Sequence, residues 1–258
     1  MDKYAFFLDI DGTLTSAGGI CEENKLAIKK ARELGHKIFI NSGRSMGYVP
    51  QCVREVEFDG YVVGIGCYIT YGDELVLSVA IPPEEVAEMF DKFTSEGKEV
   101  VLEGEIQNFR NKYNENEDFI LLENGREYVE KYSDSRITKF FVPYNFSEKE
   151  LNFIRQRYTA FQHPTYLEYA PKGYSKATGM EMLLQKCNIP RERCVAIGDS
   201  ANDIDMLKYA GISVAVGNAQ DEVKALCTKI TAPANEGGVG KAICEIIGIS
   251  LQADKPLP

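Results

Sequence analysis

The chain has 258 residues, 44% hydrophobic and 26% charged, and a net charge of −10 from 29 basic and 39 acidic side chains. That balance excludes a disordered, collagen-like or coiled-coil chain, and so acidic a surface repels a polyphosphate backbone, which argues against nucleic acid as a partner. The longest mostly apolar stretch, Tyr61 to Ile69, is too short to span a bilayer, and the short apolar run before Asp9 is no secretory leader, so a soluble cytoplasmic protein is expected. In chain order, Tyr4 to Leu8 reads as a strand buried on both faces, Asn24 to Leu34 as a helix stopped by Gly35, and Lys37 to Ile40 as a second strand. A helix over Ser45 to Val56, a strand over Tyr61 to Val63 and a hairpin over Cys67 to Ile81, turning at Tyr71-Gly72-Asp73-Glu74, follow.

At Pro82-Pro83 the character changes. Residues 82–172 hold nine Phe and seven Tyr and several turn clusters, such as Asn114-Glu115-Asn116-Glu117. Helical stretches (Glu84 to Ser95, Gly125 to Tyr132, Ser147 to Tyr158) mix with strand-like ones (Lys98 to Leu102, Ile137 to Val142, Tyr166 to Tyr169), which reads as an inserted α+β domain whose aromatics build its own core. After Gly173 the βα alternation resumes. Helices are expected over Ser175 to Lys186, Asp203 to Tyr209, Ala219 to Leu226 and Val239 to Ile247, with strands at Cys194 to Gly198, Ser213 to Val216 and Lys229 to Thr231. Such alternation requires right-handed crossovers and a parallel sheet. The expected architecture is therefore α/β: a doubly wound core from 1–81 and 173–258, with 82–172 inserted. The seven cysteines contain no C-x-x-C pair and the only histidines are His36 and His163, so no zinc cluster is expected and the thiols are read as free in a reducing compartment.

Four short segments carry chemistry. Asp9-Ile10-Asp11-Gly12-Thr13-Leu14 follows the first strand, where ligands of parallel sheets bind. If the backbone stays extended, spacing i, i+2 puts both carboxylates on one side, where they repel and call for a hard cation such as Mg²⁺. A simple Asp-Gly turn is the competing reading; a calcium loop is not, because Ile20 stands where its terminal Glu would be. Asn41-Ser42-Gly43-Arg44 follows the second strand and offers a hydroxyl and free amides to an anion, though it also suits an ordinary turn. Lys176, near a helix start, could neutralise a phosphoryl oxygen or be a solvated surface lysine. Gly198-Asp199-Ser200-Ala201-Asn202-Asp203-Ile204-Asp205-Met206 again follows a strand and opens a helix; capping accounts for Asp203 better than for Asp199 or Asn202.

In this order and placement the four segments resemble the haloacid dehalogenase (HAD) superfamily of phosphohydrolases, and within it the Cof-type subfamily, whose C2-type cap is inserted between the second and third motifs. Gly217-Asn218-Ala219, Glu222-Val223-Lys224 and Asn235-Glu236-Gly237-Gly238-Val239 are similar to that subfamily's C-terminal pattern. The resemblance implies a Rossmann-like core and a Mg²⁺-dependent phosphatase working through an aspartyl-phosphate on a small phosphorylated metabolite, a sugar phosphate being the commonest choice. It implies Asp9 as nucleophile and metal ligand, and Asp11 as general acid and base with its carbonyl on the metal. Ile10, Ser42, Gly43, Lys176 and Asn202 would hold the phosphate, Asp199 would complete the metal site, and Asp203 would support the loop. Neither a membrane nor a protein partner is implied. Two positions depart from the subfamily pattern: Ile65-Gly66 stands where Asn-Gly is usual, and Ala177 follows the lysine in place of Gly. A phosphomutase of the same superfamily, a phosphoryl receiver and a non-catalytic phospho-ligand binder are the competing functions.

Overall fold

Ala5–Leu8 is completely buried, as a strand covered on both faces must be, and the sheet grows outward from it. The computed structural model describes residues 3–115, 119–143, 154–162 and 166–251. They divide into two units, one of Met1–Ser42, Pro50–Tyr61 and Lys176–Pro258, the other of Gly43–Val49 and Val62–Ser175.

In the first unit Ala5–Leu8 pairs in parallel with Cys194–Gly198 on one side and Lys37–Asn41 on the other, with Ala5 opposite both Cys194 and Lys37. Ile212–Ala215 and Lys229–Ile230 extend the first side in parallel. The chain thus leaves Ala5–Leu8 first in one direction and later returns to add strands in the other. Right-handed crossovers then put the connecting helix Glu22–Glu33 on one face and the connecting helices Ile204–Tyr209 and Asp221–Leu226 on the other, and a topological switch point falls beside the carboxyl end of Ala5–Leu8. Glu22–Glu33 packs on Gly238–Ile247 so closely that a β-carbon on Gly240 would lie 2.7 Å from the Glu23 carbonyl oxygen. The buried Asn24 Oδ1 accepts the Gly240 N–H at 2.7 Å across that contact.

The second unit carries the hairpin Tyr68–Tyr71 and Glu74–Ser78 and a six-stranded sheet. Its order is Ile120–Leu121, Asn108–Arg110, Val101–Gly104, Ile137–Pro143, Tyr166–Pro171 and Tyr158–Gln162. Strand alternation sorts the side chains. Leu102, Phe109, Phe140 and Tyr169 join Val86, Phe90 and Phe93 of helix Pro83–Ser95, and Tyr128 of Gly125–Tyr132, in one apolar core. Glu103, Lys139 and Glu168 alternate away from those core residues and are still buried: the Lys139 ammonium lies 3.1 Å from Glu103 and also bonds Glu168.

Several elements differ from expectation. The helix expected over Ser45 to Val56 is a 3₁₀ turn, Met46–Tyr48, and a short helix, Gln51–Arg54. Pro50 divides them; it has no N–H to give the helix and forces Val49 into an extended conformation (ψ 125°). The strand expected from Lys98 runs from Val101 to Gly104, because the Lys98 N–H still closes the preceding helix on the Phe93 carbonyl. Tyr158 begins a strand instead of ending a helix. Of the helix expected over Ser147 to Tyr158, residues 154–157 are helical and 147–153 lie outside the described residues, as do Asn116, Glu117 and His163. The hairpin Thr15–Ser16 with Gly19–Ile20, and the strands Asn108–Arg110 and Ile120–Leu121, are too short to leave a periodic signal in sequence. No helix among the described residues is long and apolar enough to cross a membrane.

Candidate active site

The site is built in the first unit, at the carboxyl ends of Ala5–Leu8 and Cys194–Gly198. The Asp9 N–H still donates to the Ile197 carbonyl (3.1 Å), which extends the strand pairing by one residue and holds Asp9 beside the end of Cys194–Gly198. The backbone then turns. Amides of Thr13, Leu14 and Thr15 converge on the Ile10 carbonyl at 3.4, 3.0 and 2.9 Å, and Gly12 takes a left-handed φ of 74°. Asp11, inside this turn, pairs with Thr15 in an isolated β-bridge. Asp9 is 4% exposed, whereas Asp11 is an exposed side chain on a groove of about 790 Å³, together with Gly12, Thr15, Ser16 and Asn218.

Lys176 is not a surface lysine. It opens the helix Lys176–Cys187 and is 2% exposed. Its ammonium donates to Asp9 Oδ1 at 2.8 Å and to Asp203 Oδ1 at 2.5 Å. The second Asp203 oxygen accepts the Asp199 and Ser200 N–H groups at 3.0 and 3.2 Å, closing a capping box. Gly198 must be glycine here, since a β-carbon would fall 2.7 Å from Asp203 Oδ2. Asp199 Oδ1 accepts the Thr13 hydroxyl at 2.9 Å, which ties the two acidic loops together. Asn218 supports the same turn: its Nδ2 donates to the Gly12 carbonyl and its Oδ1 accepts the Ala234 N–H, both at 2.8 Å.

Ser42 is buried directly after Lys37–Asn41, and Gly43 opens the segment assigned to the second unit. Ile10 is buried and its carbonyl holds the turn. Asn202 is exposed, its Oδ1 accepting from the Ser200 hydroxyl at 2.9 Å. The fold thus gathers Asp9, Lys176, Asp199 and Asp203 into one cluster and leaves Asp11 and Asn202 facing solvent. Reading by sequence gave no role to Thr13, Asn41 or Asn218. All three lie inside segments already singled out, but only their contacts identify what they do.

Oxygens of Asp9, Asp199 and Asp203 lie within 4.8 Å of one another around a single ammonium. Burial, reinforced by Asp203, pushes the Asp9 carboxyl up to about 8, against the pull of Lys176. Burial also raises Asp199, to about 6. Burial alone would lower the Lys176 ammonium, but Asp203 and Asp9 outweigh it and hold the group above its ordinary value. The cluster is short of positive charge, and its donors are all carboxylate oxygens, so it fits a hard divalent cation. Both Asp203 oxygens are already engaged, which leaves Asp9 and Asp199 as the carboxylates able to hold one.

Comparison with known proteins agrees with this chemistry. The haloacid dehalogenase-like hydrolase family matches residues 6–243. The putative phosphatase YkrA of Bacillus subtilis (strain 168) is 26% identical over 267 residues, covering 95% of this chain and 98% of its own. The 5-amino-6-(5-phospho-D-ribitylamino)uracil phosphatase YcsE of the same organism is 29% identical, covering 92% of each chain. The structure of the HAD subclass IIB sugar phosphatase BT4131 superposes with a TM-score of 0.78 at 28% identity, over 96% of this chain and all of that one. The chain therefore belongs to the haloacid dehalogenase-like hydrolases, as a Cof-type member with a Rossmann-like core, and is a phosphoric monoester hydrolase.

Proposed function

We propose that the enzyme hydrolyses small phosphorylated metabolites through a covalent phosphoryl group on Asp9. The observation that carries this reading is the buried Lys176 ammonium shared by Asp9 and Asp203, which points an Asp9 oxygen and a fixed positive charge at one place. An Asp9 carboxylate oxygen attacks phosphorus as the ester P–O bond breaks, and Asp11 donates its proton to the departing alkoxide. Asp11 then takes a proton from the water that attacks the acyl-phosphate, releasing inorganic phosphate and restoring both residues. A buried nucleophile and an exposed acid suit these tasks, since only Asp11 must exchange protons with leaving group and water. Ile10 and Gly43 through their backbone, with Ser42 and Asn202, hold phosphoryl oxygens, and Lys176 neutralises one of them.

Asp9, Asp199 and the Asp11 carbonyl are the groups that would hold Mg²⁺, which when bound supplies the positive charge the cluster lacks. Asp203 orients the Asp199 loop. Residues 1–81 and 173–258 serve as catalytic core, and 82–172 as a cap that selects substrates. A sugar or polyol phosphate is the favoured substrate class, with support from the substrates named for YcsE and BT4131. Seven free thiols support a reducing cytoplasmic location.

The test is rapid acid quench after mixing enzyme, Mg²⁺ and a ³²P-labelled aryl phosphate. Label should appear on the peptide containing Asp9, sensitive to hydroxylamine and missing from Asp9→Asn. Parental turnover by Asp9→Asn, or full activity in excess EDTA, contradicts the assignment.

A further inference from the structure

The peptide unit joining Lys176 to Ala177 is gripped at both ends by side chains outside its helix. Asn41 Nδ2 donates to the Lys176 carbonyl oxygen at 3.2 Å. Asp205 Oδ2 accepts the Ala177 N–H at 3.3 Å. The two residues reach it from different parts of the sheet. Asn41 ends the strand Lys37–Asn41 on one side of Ala5–Leu8, and Asp205 lies in helix Ile204–Tyr209, which follows Cys194–Gly198 on the other.

Neither contact is required to build the helix. The Lys176 carbonyl is already an acceptor within Lys176–Cys187, and a first-turn N–H such as that of Ala177 is usually satisfied by a local cap or water. Asn41 is fully buried, and its Oδ1 has no hydrogen-bond partner. A buried acceptor left unsatisfied is a cost that an alanine or valine at this strand end would avoid. What the amide adds is its N–H on the Lys176 peptide.

We infer that Asn41 and Asp205 are positioning residues that fix the Lys176–Ala177 peptide plane, so that the lysine side chain leaves the main chain in the direction that brings its ammonium to Asp9 and Asp203 together; this rests on the role given to Lys176 above. A lysine is a point charge on a flexible four-carbon stem, so its accuracy comes from its anchor and its end contacts. A displacement of ~1 Å at the ammonium can cost ~10²-fold in rate.

The experiment uses the full chain with Mg²⁺ and 4-nitrophenyl phosphate. Asn41→Ala should lower kcat ~10–100-fold with KM changed less than ~3-fold, because the bond acts on charge placement in the reaction and not on uniform binding. Asp205→Ala should act in the same direction, and it keeps the test open if Asn41→Ala does not fold. In a Lys176→Met background either change should cost no more than ~2-fold further, since residues acting through one group are not additive. Crystals of the folded variant should show the Lys176 ammonium displaced from its 2.8 Å contact with Asp9. An equal loss in both backgrounds, or parental kcat in both single variants, overturns the inference. Lys176→Met at the parental rate would instead bring down the role of Lys176 itself.

Discussion

The carboxylate of Asp199 fills the space that a β-carbon on Gly12 would need. Such a carbon would lie 2.7 Å from Asp199 Oδ2, at a residue whose φ of 74° already disfavours any side chain. The turn after Asp11 and the second acidic loop are thereby packed against each other with no room for a methyl group. Gly12→Ala should lose ~1–2 kcal/mol of stability from the left-handed backbone alone. It should lose far more in activity, ~10²-fold or beyond, because Asp199 must move. Melting temperature and aryl phosphate turnover, measured on one preparation, check that the activity loss is the larger.

Asp9→Asn should abolish turnover without destabilising the fold. Burial holds the Asp9 carboxyl up to about 8, so its ionised form is disfavoured in the metal-free protein. A neutral amide of the same shape removes that penalty, and Lys176 keeps Asp203 as partner. Thermal melts in EDTA at pH 8 should place the variant at or above the parent. A drop of many degrees would show that the Asp9–Lys176 ion pair stabilises the fold on balance.

The metal-free protein should become less stable as pH rises from about 4 toward 8. Asp9 and Asp199 titrate near 3.8 when unfolded, but near 8 and 6 when folded. Between these values the native state keeps protons that the unfolded chain has released, so stability falls with pH, through about 6 for Asp199 and about 8 for Asp9. Mg²⁺ must displace those protons. Its stabilising shift in melting temperature should therefore be larger at pH 8 than at pH 6. A shift independent of pH would disconnect the metal from these two carboxylates.

Asp11→Asn should slow alkyl phosphates much more than aryl phosphates, by up to ~10²–10⁴-fold for the poorest leaving groups, since an acidic phenol departs without a proton. The side chain is exposed and outside the Asp9–Asp199–Asp203 cluster, so the change should leave melting temperature unaltered. Equal losses on both substrate types would assign Asp11 a structural task.

Lys139→Met should be among the most destabilising changes in the second unit. It leaves Glu103 and Glu168, both buried, without the ammonium they share. Removing one partner of a buried ionic group typically costs ~3–5 kcal/mol. Adding Glu103→Gln and Glu168→Gln should recover much of the loss, and urea unfolding of the single and triple variants measures both.

The alternation of apolar runs with helical periods was enough to give a parallel sheet, and hence to put Asp9, Ser42 and Asp199 after strands, because strand position and crossover hand follow from local pattern, whereas the order of the strands in the sheet does not. The four chemical segments were legible for the same reason: each is a handful of consecutive residues. What no segment contains is the state of its side chains. Lys176 alone reads more readily as a solvated surface residue; it becomes a buried ammonium only because Asp9, 167 residues away, and Asp203 converge on it. Asp9 and Asp11 look equivalent in sequence, yet one lies in a dry cluster with its carboxyl raised to about 8 and the other faces a groove. Asn41 is indistinguishable from an ordinary strand-end residue until its amide is seen on a peptide 135 positions downstream. Pattern reports which residues are hidden from water along one element, whereas desolvation, ion pairing and peptide anchoring depend on atoms brought together from distant parts of the chain. Those quantities, which set the chemistry, were decided by the tertiary structure.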